Sequence, residues 1–291
     1  MRFAVIGVGK IGIYHIRDFI NNGCVLKAIL NSSIESAKTK SKEIKDKYNI
    51  DVNIYENIDE LYKNEVIDLI VISSSTETHL EYINFCIHNK IHFYCEKPFI
   101  YNESNNNTKL CKQIIKDCDE NNLNMNVQTQ WVYGINQIKH LIDLDLTSIY
   151  LHMEHFKKVN DINFFTENIS HMNSIIIYLL GHHNIEDLIY NKTELYPQII
   201  KFSYNGVNIT YSLGHPHNKQ IVYKFNSKSF TRYADEKYNQ SFIINNNRND
   251  SIPLQDPFAL CIKNFVNNTT LINKTDILKN VEMMDTISKI I

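Results

Sequence analysis

Apolar and polar positions follow two regimes along this 291-residue chain. In the first, short continuous apolar runs are followed by longer stretches where apolar residues recur every three or four positions. Arg2 to Ile6 is such a run, and Ile11 to Asn22 follows with helical spacing, closed by Gly23 at the C-cap. Val25 to Leu30 predicts a second strand, and Ser33 to Tyr48 a polar helix rich in Lys and Glu. Val52 to Tyr55 is weakly strand-like, and Asp68 to Ile72 is a buried strand feeding a helix from Thr78 to Asn89. Ile91 to Cys95 is the next strand, a long helix runs from Glu103 to about Asn121, and Met125 to Thr129 closes the series. Strands alternating with helices imply parallel βαβ units with right-handed crossovers, hence a doubly wound parallel α/β sheet.

From about residue 147 the pattern changes. Residues 147–157 read as a strand, and Asn168 to Leu180 as an amphipathic helix ended by Gly181. Strand-like segments follow at 185–190, 198–204, 207–213, 219–226 and 229–233, with Asn205-Gly206 a hairpin signal between two of them. Segment 239–256 is polar and Asn-rich and is expected to be an exposed loop, before helices at about 256–267 and 275–290. Strands in series after an α/β half predict a second, α+β domain on a mostly antiparallel open sheet. The division is drawn as residues 1–122 and 123–291, with the closing helices free to pack back on the first domain. No internal repeat is present.

Composition narrows the classes. With 43% hydrophobic residues, 21% charged and a net charge of -2, the chain is neither disordered nor suited electrostatically to nucleic acid or an anionic membrane. The start of the chain lacks the apolar region of a secretory signal, and no apolar run reaches the ~20 residues of a membrane-spanning helix. Cys24, Cys86, Cys95, Cys111, Cys118 and Cys261 form no C-x-x-C pair or zinc-ligand spacing, and the first three fall in apolar stretches. A cytoplasmic, reduced protein is expected. Asn is over-used, at roughly one residue in eight against ordinary composition, as an AT-rich genome would produce. Glycine is scarce: of only eight, three stand within the first twelve positions.

Those three form Gly7-Val8-Gly9-Lys10-Ile11-Gly12, after a strand and opening a helix. The first Gly makes the tight turn, the second lets backbone approach a pyrophosphate, and the third permits close helix–strand packing. Phosphates then sit on the free N–H groups and positive dipole end of the helix, so Gly7, Gly9, Lys10, Ile11 and Gly12 are candidate cofactor contacts. At the end of the second strand, where Asp or Glu would hold a ribose 2′-hydroxyl, stand Asn31, Ser32 and Ser33, which leave NAD against NADP open. Ser73, Ser74, Ser75, Thr76 and His79 occupy another strand end, the edge where ligands of such sheets bind. They line a cofactor, cap the next helix, or do both.

Cys95-Glu96-Lys97-Pro98 lies at a third strand end, and Pro98 holds Lys97 extended, fixing its exit from the sheet edge. A lysine in a dry cleft beside a cationic nicotinamide would have its pKa lowered and could exchange a proton with a substrate oxygen. Taken alone, Lys-Pro is equally a surface turn. Glu167 and His171, four apart, share one helix face and can converge on one hydroxyl, or be a helix-terminal carboxylate and a core histidine. His152, His155, His182, His183, His215 and His217 lack acidic or Cys partners at ligand spacing, so no metal is expected.

In order and spacing, GVGKIG, SSSTETHLEYI, HFYCEKPF, ENISHMNSIIIYLLG and the closing PFALCIKNFVNN…TDILKNVEMMDTI resemble the Gfo/Idh/MocA oxidoreductases, the glucose-fructose oxidoreductase and inositol dehydrogenase group. The resemblance spans nearly the whole chain, and E-K-P is its most discriminating element. It implies an N-terminal Rossmann domain, a C-terminal domain whose open sheet forms homodimers or homotetramers, and NAD- or NADP-dependent hydride transfer on sugars, cyclitols or nucleotide sugars. It also implies catalytic roles for Lys97, His171 and Glu167, cofactor contacts from Glu96 and Lys97, and a substrate surface from Lys97, Gln130, Trp131, His155, Asn168 and His171. The family's D-x-G-x-H segment reads Glu167-Asn168-Ile169-Ser170-His171 here. Where many members carry Arg after the sixth strand, this chain has Gln130 and Trp131, so recognition of a carboxylate or phosphate at that spot is not expected. Reduction of an imine or enone, and a non-catalytic NAD(P)-binding regulatory or scaffold role, are the alternatives to alcohol oxidation.

Overall fold

The computed structural model describes all residues except 103–105, 144, 155–161, 192–196, 215–220 and 236–238. It divides into two compact units, residues 1–128 with 261–274, and residues 129–260 with 275–291.

The first unit holds strands β1 (Arg2–Ile6), β2 (Val25–Leu30), β3 (Asn53–Tyr55), β4 (Leu69–Ile72), β5 (His92–Cys95) and β6 (Met125–Val127). Between them run α1 (Lys10–Asn21), α2 (Ile34–Tyr48), α3 (Ile58–Asn64), α4 (Thr76–His88) and α5 (Asn107–Glu120). The strands pair in parallel in the order β3-β2-β1-β4-β5-β6. Strand order reverses between β1 and β4, so a crevice opens beyond their carboxyl ends. Local chemistry sets the helix ends: Ser33 Oγ accepts from Ser36 N–H at the start of α2, and Asn49 at φ 55° ends it.

Helix α3 is not predicted by the apolar pattern. It buries only Leu61, so no periodicity marks it, but Asn57 Oδ1 accepts from the N–H groups of Asp59 and Glu60 and starts it. Helix α5 runs from Asn107 behind Asn106, whose Oδ1 caps Lys109 N–H, and the expected start at Glu103 lies outside the described residues. The division between units falls after Gln128 rather than after residue 122, because β6 pairs with β5 (Phe93↔Met125) and belongs to this sheet. Residues 261–274 join it for a packing reason. Phe265 packs edge-on against Tyr94 at 5.0 Å between ring centroids, and the buried Tyr94 hydroxyl is bonded to Gln128 and lies 3.0 Å from Cys261 Sγ.

The second unit contains α6 (Gln130–Ile138), β7 (Ser148–Glu154), α7 (Ile162–Leu180), β8 (Ile185–Asn191), β9 (Gln198–Tyr204), β10 (Val207–Gly214), β11 (Ile221–Phe225), β12 (Lys228–Ala234), β13 (Gln240–Ile244) and β14 (Asn247–Leu254). Helix α8 (Pro257–Val266) straddles the two units, and most of α9 (Lys274–Ser288) belongs here. The strand order is β14-β13-β12-β11-β7-β10-β9-β8, antiparallel except for the β7–β10 pair. One face is apolar and buried, with Leu151, Tyr211, Tyr223, Phe225, Phe230 and Phe242 on it. Helix α7 packs there, the Tyr211 hydroxyl donating to Asn173 Oδ1 at 2.9 Å.

The expected exposed loop at 239–256 is instead the hairpin β13–β14. Its turn residues Asn245 and Asn246 both have positive φ, 48° and 59°, and Phe242 is fully buried between half-buried Ser241 and Ile243. This reflects a wider habit of the chain. Among the described residues, the non-glycine positions with positive φ are Asn49, Lys90, Asn122, Asp187, Asn205, Asn226, Asn245, Asn246 and Asn268. All but Lys90 and Asp187 are asparagine, the residue that best tolerates the left-handed region after glycine. In a glycine-poor chain, Asn makes the turns. All six cysteines are buried free thiols.

Candidate dinucleotide and substrate sites

In the first unit the glycine loop lies at the β1–β4 crevice. Gly7 has φ +79°, and a Cβ there would stand 2.4 Å from Ser74 Cα and 2.5 Å from Ser74 N. Only glycine lets the loop close onto the β4 strand end. Gly12 is similarly tight: a Cβ there would stand 3.1 Å from both Gly7 O and Ser73 Oγ, which sets how closely α1 packs on β1. Gly9 differs, since a Cβ there meets no atom within 4 Å. Helix α1 starts behind Gly9 with no side-chain cap and no acidic residue in its first turn, and Lys10 and Ile11 are exposed. An uncapped helix N-terminus with open room before it fits a pyrophosphate.

Asn31 is buried and turned toward this loop. Its Oδ1 accepts from Val8 N–H at 2.7 Å, and its Nδ2 donates to Ser36 Oγ at 2.9 Å. Ser32 is exposed, and Ser33 is spent on capping α2. A residue outside the expected set adjoins them: Ile34 N–H, in the first turn of α2, donates to Glu56 Oε2 at 3.1 Å. Ser73 Oγ donates to the carbonyl oxygens of Ile6 and Gly7, at 3.1 and 3.0 Å, and so locks the loop to β1. Ser74 Oγ accepts from Thr78 Oγ1 at 2.7 Å, while Ser75 is exposed and Thr76 half-buried at the α4 start.

His79 does not line the crevice as expected. It is buried, with Nδ1 3.0 Å from Pro98 O and 3.2 Å from Phe99 O, and Nε2 3.2 Å from Ser74 O. It therefore bridges the serine loop to the loop after β5. Burial holds its pKa below the ordinary value against the pull of those carbonyls.

Beyond β5, Glu96 Oε1 lies 2.6 Å from Nε2 of the fully buried His15 on α1, and Glu96 Oε2 accepts from Lys97 N–H at 3.2 Å. Burial pushes the Glu96 carboxyl up, but the His15 hydrogen bond and the charges of His15 and Lys97 outweigh it and keep it below its usual range. Lys97 is half-buried and its peptide bond to Pro98 is cis. Among the described residues of this unit its ammonium makes no hydrogen bond or ion pair, which leaves it available to a ligand.

In the second unit α7 begins at Ile162, so Glu167, Asn168 and His171 lie inside the helix rather than at its start. Asn168 and His171 are buried and Glu167 is half-buried. Trp131, on α6, packs edge-on to His171 with ring centroids 6.4 Å apart, and half-buried Gln130 opens that helix. His155 lies outside the described residues, as do His215 and His217. His152 bonds Ser212 Oγ at 2.9 Å, and His182 lies 2.7 Å from Asp276. Among the described residues no group of three or more His, Cys, Asp or Glu is arranged to hold a metal, and no helix is long and apolar enough to cross a membrane.

Sequence reasoning missed His15, Glu56 and Arg232. Arg232 lies on β12 in the register of Phe230, the inward face, with its guanidinium 4.7 Å over the Trp131 ring. Period-two alternation carried the signal, since a charge in step with buried aromatics is out of place.

Residues 1–128 match a family described as an oxidoreductase family with an NAD-binding Rossmann fold. A myo-inositol 2-dehydrogenase of Thermotoga maritima is 33% identical over 102 residues, which is 35% of this chain and 29% of that protein. An inositol 2-dehydrogenase of Salmonella typhimurium is 21% identical over 146 residues, 49% of this chain and 41% of its own length. The matched segments thus span less than half of these relatives. A solved UDP-N-acetylglucosamine 3-dehydrogenase from Acidithiobacillus ferrooxidans superposes with TM-score 0.75 at 14% identity, covering 99% of this chain and 97% of the other. A Clostridium difficile dehydrogenase gives TM-score 0.74 at 17% identity, covering 100% and 99%. At such identities these structures establish the shared fold.

Proposed function

We propose that this chain, whose residues 1–128 match the oxidoreductase family with an NAD-binding Rossmann fold, is an oxidoreductase of the Gfo/Idh/MocA group that oxidises or reduces a sugar, cyclitol or nucleotide-sugar carbon bearing a secondary alcohol or ketone. The observation that carries this reading is the uncapped start of α1 behind Gly7, with open space at Gly9. Val8, Gly9, Lys10 and Ile11 would hold the pyrophosphate of a nicotinamide dinucleotide, with Ser75 and Thr76 beside it. The bound nicotinamide supplies the hydride chemistry.

The protein's own groups handle position and proton. Lys97 takes the hydroxyl proton as the alcohol is oxidised and returns it on reduction. His171 orients that hydroxyl, and Glu167, four residues earlier on α7, tunes the imidazole. Gln130, Trp131 and Asn168 line the substrate. Glu96 fixes the Lys97 backbone rather than meeting substrate. By name, the relatives act on inositol and on a UDP-sugar, which supports a hydroxylated sugar-like substrate.

NAD is favoured over NADP. Asn31 is engaged with Val8, and the Glu56 carboxylate already occupies the α2 N-terminus that a 2′-phosphate would approach. We assign the protein to the cytoplasm as a homodimer or homotetramer, which sedimentation would measure.

Lys97→Met tests the chemistry. A positioned acid–base group contributes on the order of 10²–10⁴-fold, so turnover should fall by that factor while NAD affinity stays nearly unchanged. Full turnover in the variant would remove Lys97 from the reaction, and a variant that binds no NAD would indicate a lost fold.

A further inference from the structure

The buried face of the second sheet carries one feature that alcohol oxidation does not require. Arg232 follows Phe230 in the inward register of β12, paired with Ile221 on β11 and Phe242 on β13. Its guanidinium lies over the Trp131 ring at 4.7 Å, and Trp131 in turn packs on His171 and Tyr223, each at 6.4 Å. A guanidinium over an indole face gains cation–π attraction while its N–H donors remain able to bond other groups.

A cation drawn into a protein is normally matched by a carboxylate, since desolvating an unpaired charge costs several kcal/mol. Arg232 is half-buried and has no such match among the described residues. Its Nε donates to the neutral Gln240 Oε1 at 3.1 Å, and no carboxylate oxygen lies within ion-pair distance among the described residues. Gln240 separates it from the nearest acid, donating through Nε2 to Asp256 Oδ1 at 3.3 Å. A guanidinium has five N–H donors, so the forked end remains for another acceptor.

A second group points the same way. The Tyr223 hydroxyl is fully buried and has no hydrogen-bond partner among the described residues. Buried hydroxyls are almost always bonded, and an orphan marks a place where a ligand or water completes the set. The two incomplete groups, Arg232 and Tyr223, belong to residues that both pack on Trp131.

We propose that Arg232 recognises an anionic group, a carboxylate or a phosphate ester, on the sugar-like substrate, with Trp131 as the platform and Tyr223 as a further donor. This rests on the oxidoreductase reading above and narrows its substrate class. It also relocates the cation missing after β6: the positive charge comes from β12, in a different element.

Trp131 is the only tryptophan, so its fluorescence reports this site alone. With NAD saturating, the full chain would be titrated with D-glucuronate, glucose 6-phosphate, glucose and inorganic phosphate. At least one anionic sugar should give a saturable change with a dissociation constant ten or more times below that of glucose, and which one does so separates carboxylate from phosphate. Arg232→Gln should raise that constant to the glucose level, with Arg232→Lys in between as a folded, charged control. The proposal is overturned by glucose binding as tightly as both anionic sugars, by an unchanged constant in Arg232→Gln, or by no response to either anionic sugar. An equal response to inorganic phosphate alone would show a bare anion site and overturn it too. A separate NADH titration keeps the readings apart: loss of NADH binding strikes the oxidoreductase reading, whereas intact NADH binding with any of those outcomes strikes only the role of Arg232.

Discussion

His15 and Glu96, on α1 and at the end of β5, are joined at 2.6 Å with the imidazole wholly buried, and the other Glu96 oxygen accepts the Lys97 N–H at 3.2 Å. The helix that opens on the cofactor loop thereby fixes the backbone of the proposed proton-transfer lysine. Glu96→Gln and His15→Gln should each lower kcat by about tenfold or more, with KM changing less than about threefold, because misplaced groups chiefly cost transition-state alignment. The double variant should lose little beyond either single one, since both break the same link. Additive losses would show that the pair does not act as a unit.

Gly7 and the serine loop make a second prediction. Gly7→Ala places a Cβ 2.4 Å from Ser74 Cα on backbone at φ +79°, where an L side chain is strained. The strain alone is worth about 1–3 kcal/mol, and the clash adds to it. Thermal unfolding should show a clearly lower midpoint. An unchanged midpoint would mean that the loop does not approach β4 as described.

Glu56 bears on cofactor choice. Its carboxylate on Ile34 N–H should repel a 2′-phosphate. Calorimetric titration of Glu56→Gln should show NADP affinity rising by about tenfold, one elementary charge interaction near a helix terminus, with NAD affinity little altered. Equal changes for both dinucleotides would remove Glu56 from selectivity.

Arg2 and Asp68 tie β1 to the start of β4, with the Asp68 carboxylate accepting from Arg2 N–H at 2.7 Å and from its guanidinium. Those hydrogen bonds and the Arg2 charge lower the Asp68 pKa to about 2. Its folded pKa is thus depressed below the ~3.9 of an unfolded aspartate. The stabilisation is present above pH ~4 and is lost as pH falls toward 2. Asp68→Asn should lower the urea midpoint slightly at neutral pH, less so in high salt because the pair is exposed, and match the parent near pH 2. A difference that persists at pH 2 would contradict this origin.

How much of this was legible in the sequence depends on where the information lies. The central parallel strands announced themselves because strands buried on both faces are continuous apolar runs, as in Leu69–Ile72, while half-exposed β3 at the sheet edge gave only a weak signal. Hairpin β13–β14 did not, since β14 opens on the polar run Asn247 to Ser251 and the turn is Asn245-Asn246 rather than Asn-Gly. Helix α3 escaped because one buried leucine makes no period. The glycine loop stood out by its motif, whereas Lys97 and His171 were singled out through the family resemblance. Asn31 and His79 were assigned to the cofactor by position, yet their side chains turn to Val8 and to the loop after β5. Which way a polar side chain turns is decided by tertiary neighbours, and 81 residues separate His15 from its partner Glu96. Arg232 was visible as a charge in an inward register, a signal that only means something once the register is known.

The central claim is that the Gly7–Gly12 loop holds a nicotinamide dinucleotide, and Gly9→Val tests it most directly. A Cβ at Gly9 meets nothing within 4 Å and the backbone φ is -92°, so the fold should keep its unfolding midpoint. The new side chain would fill only the room that the pyrophosphate needs. NADH fluorescence titration should show saturable one-to-one binding in the parent and at least a tenfold weaker constant in Gly9→Val. Absence of binding in the parent, or equal affinity in a folded Gly9→Val, would contradict the account.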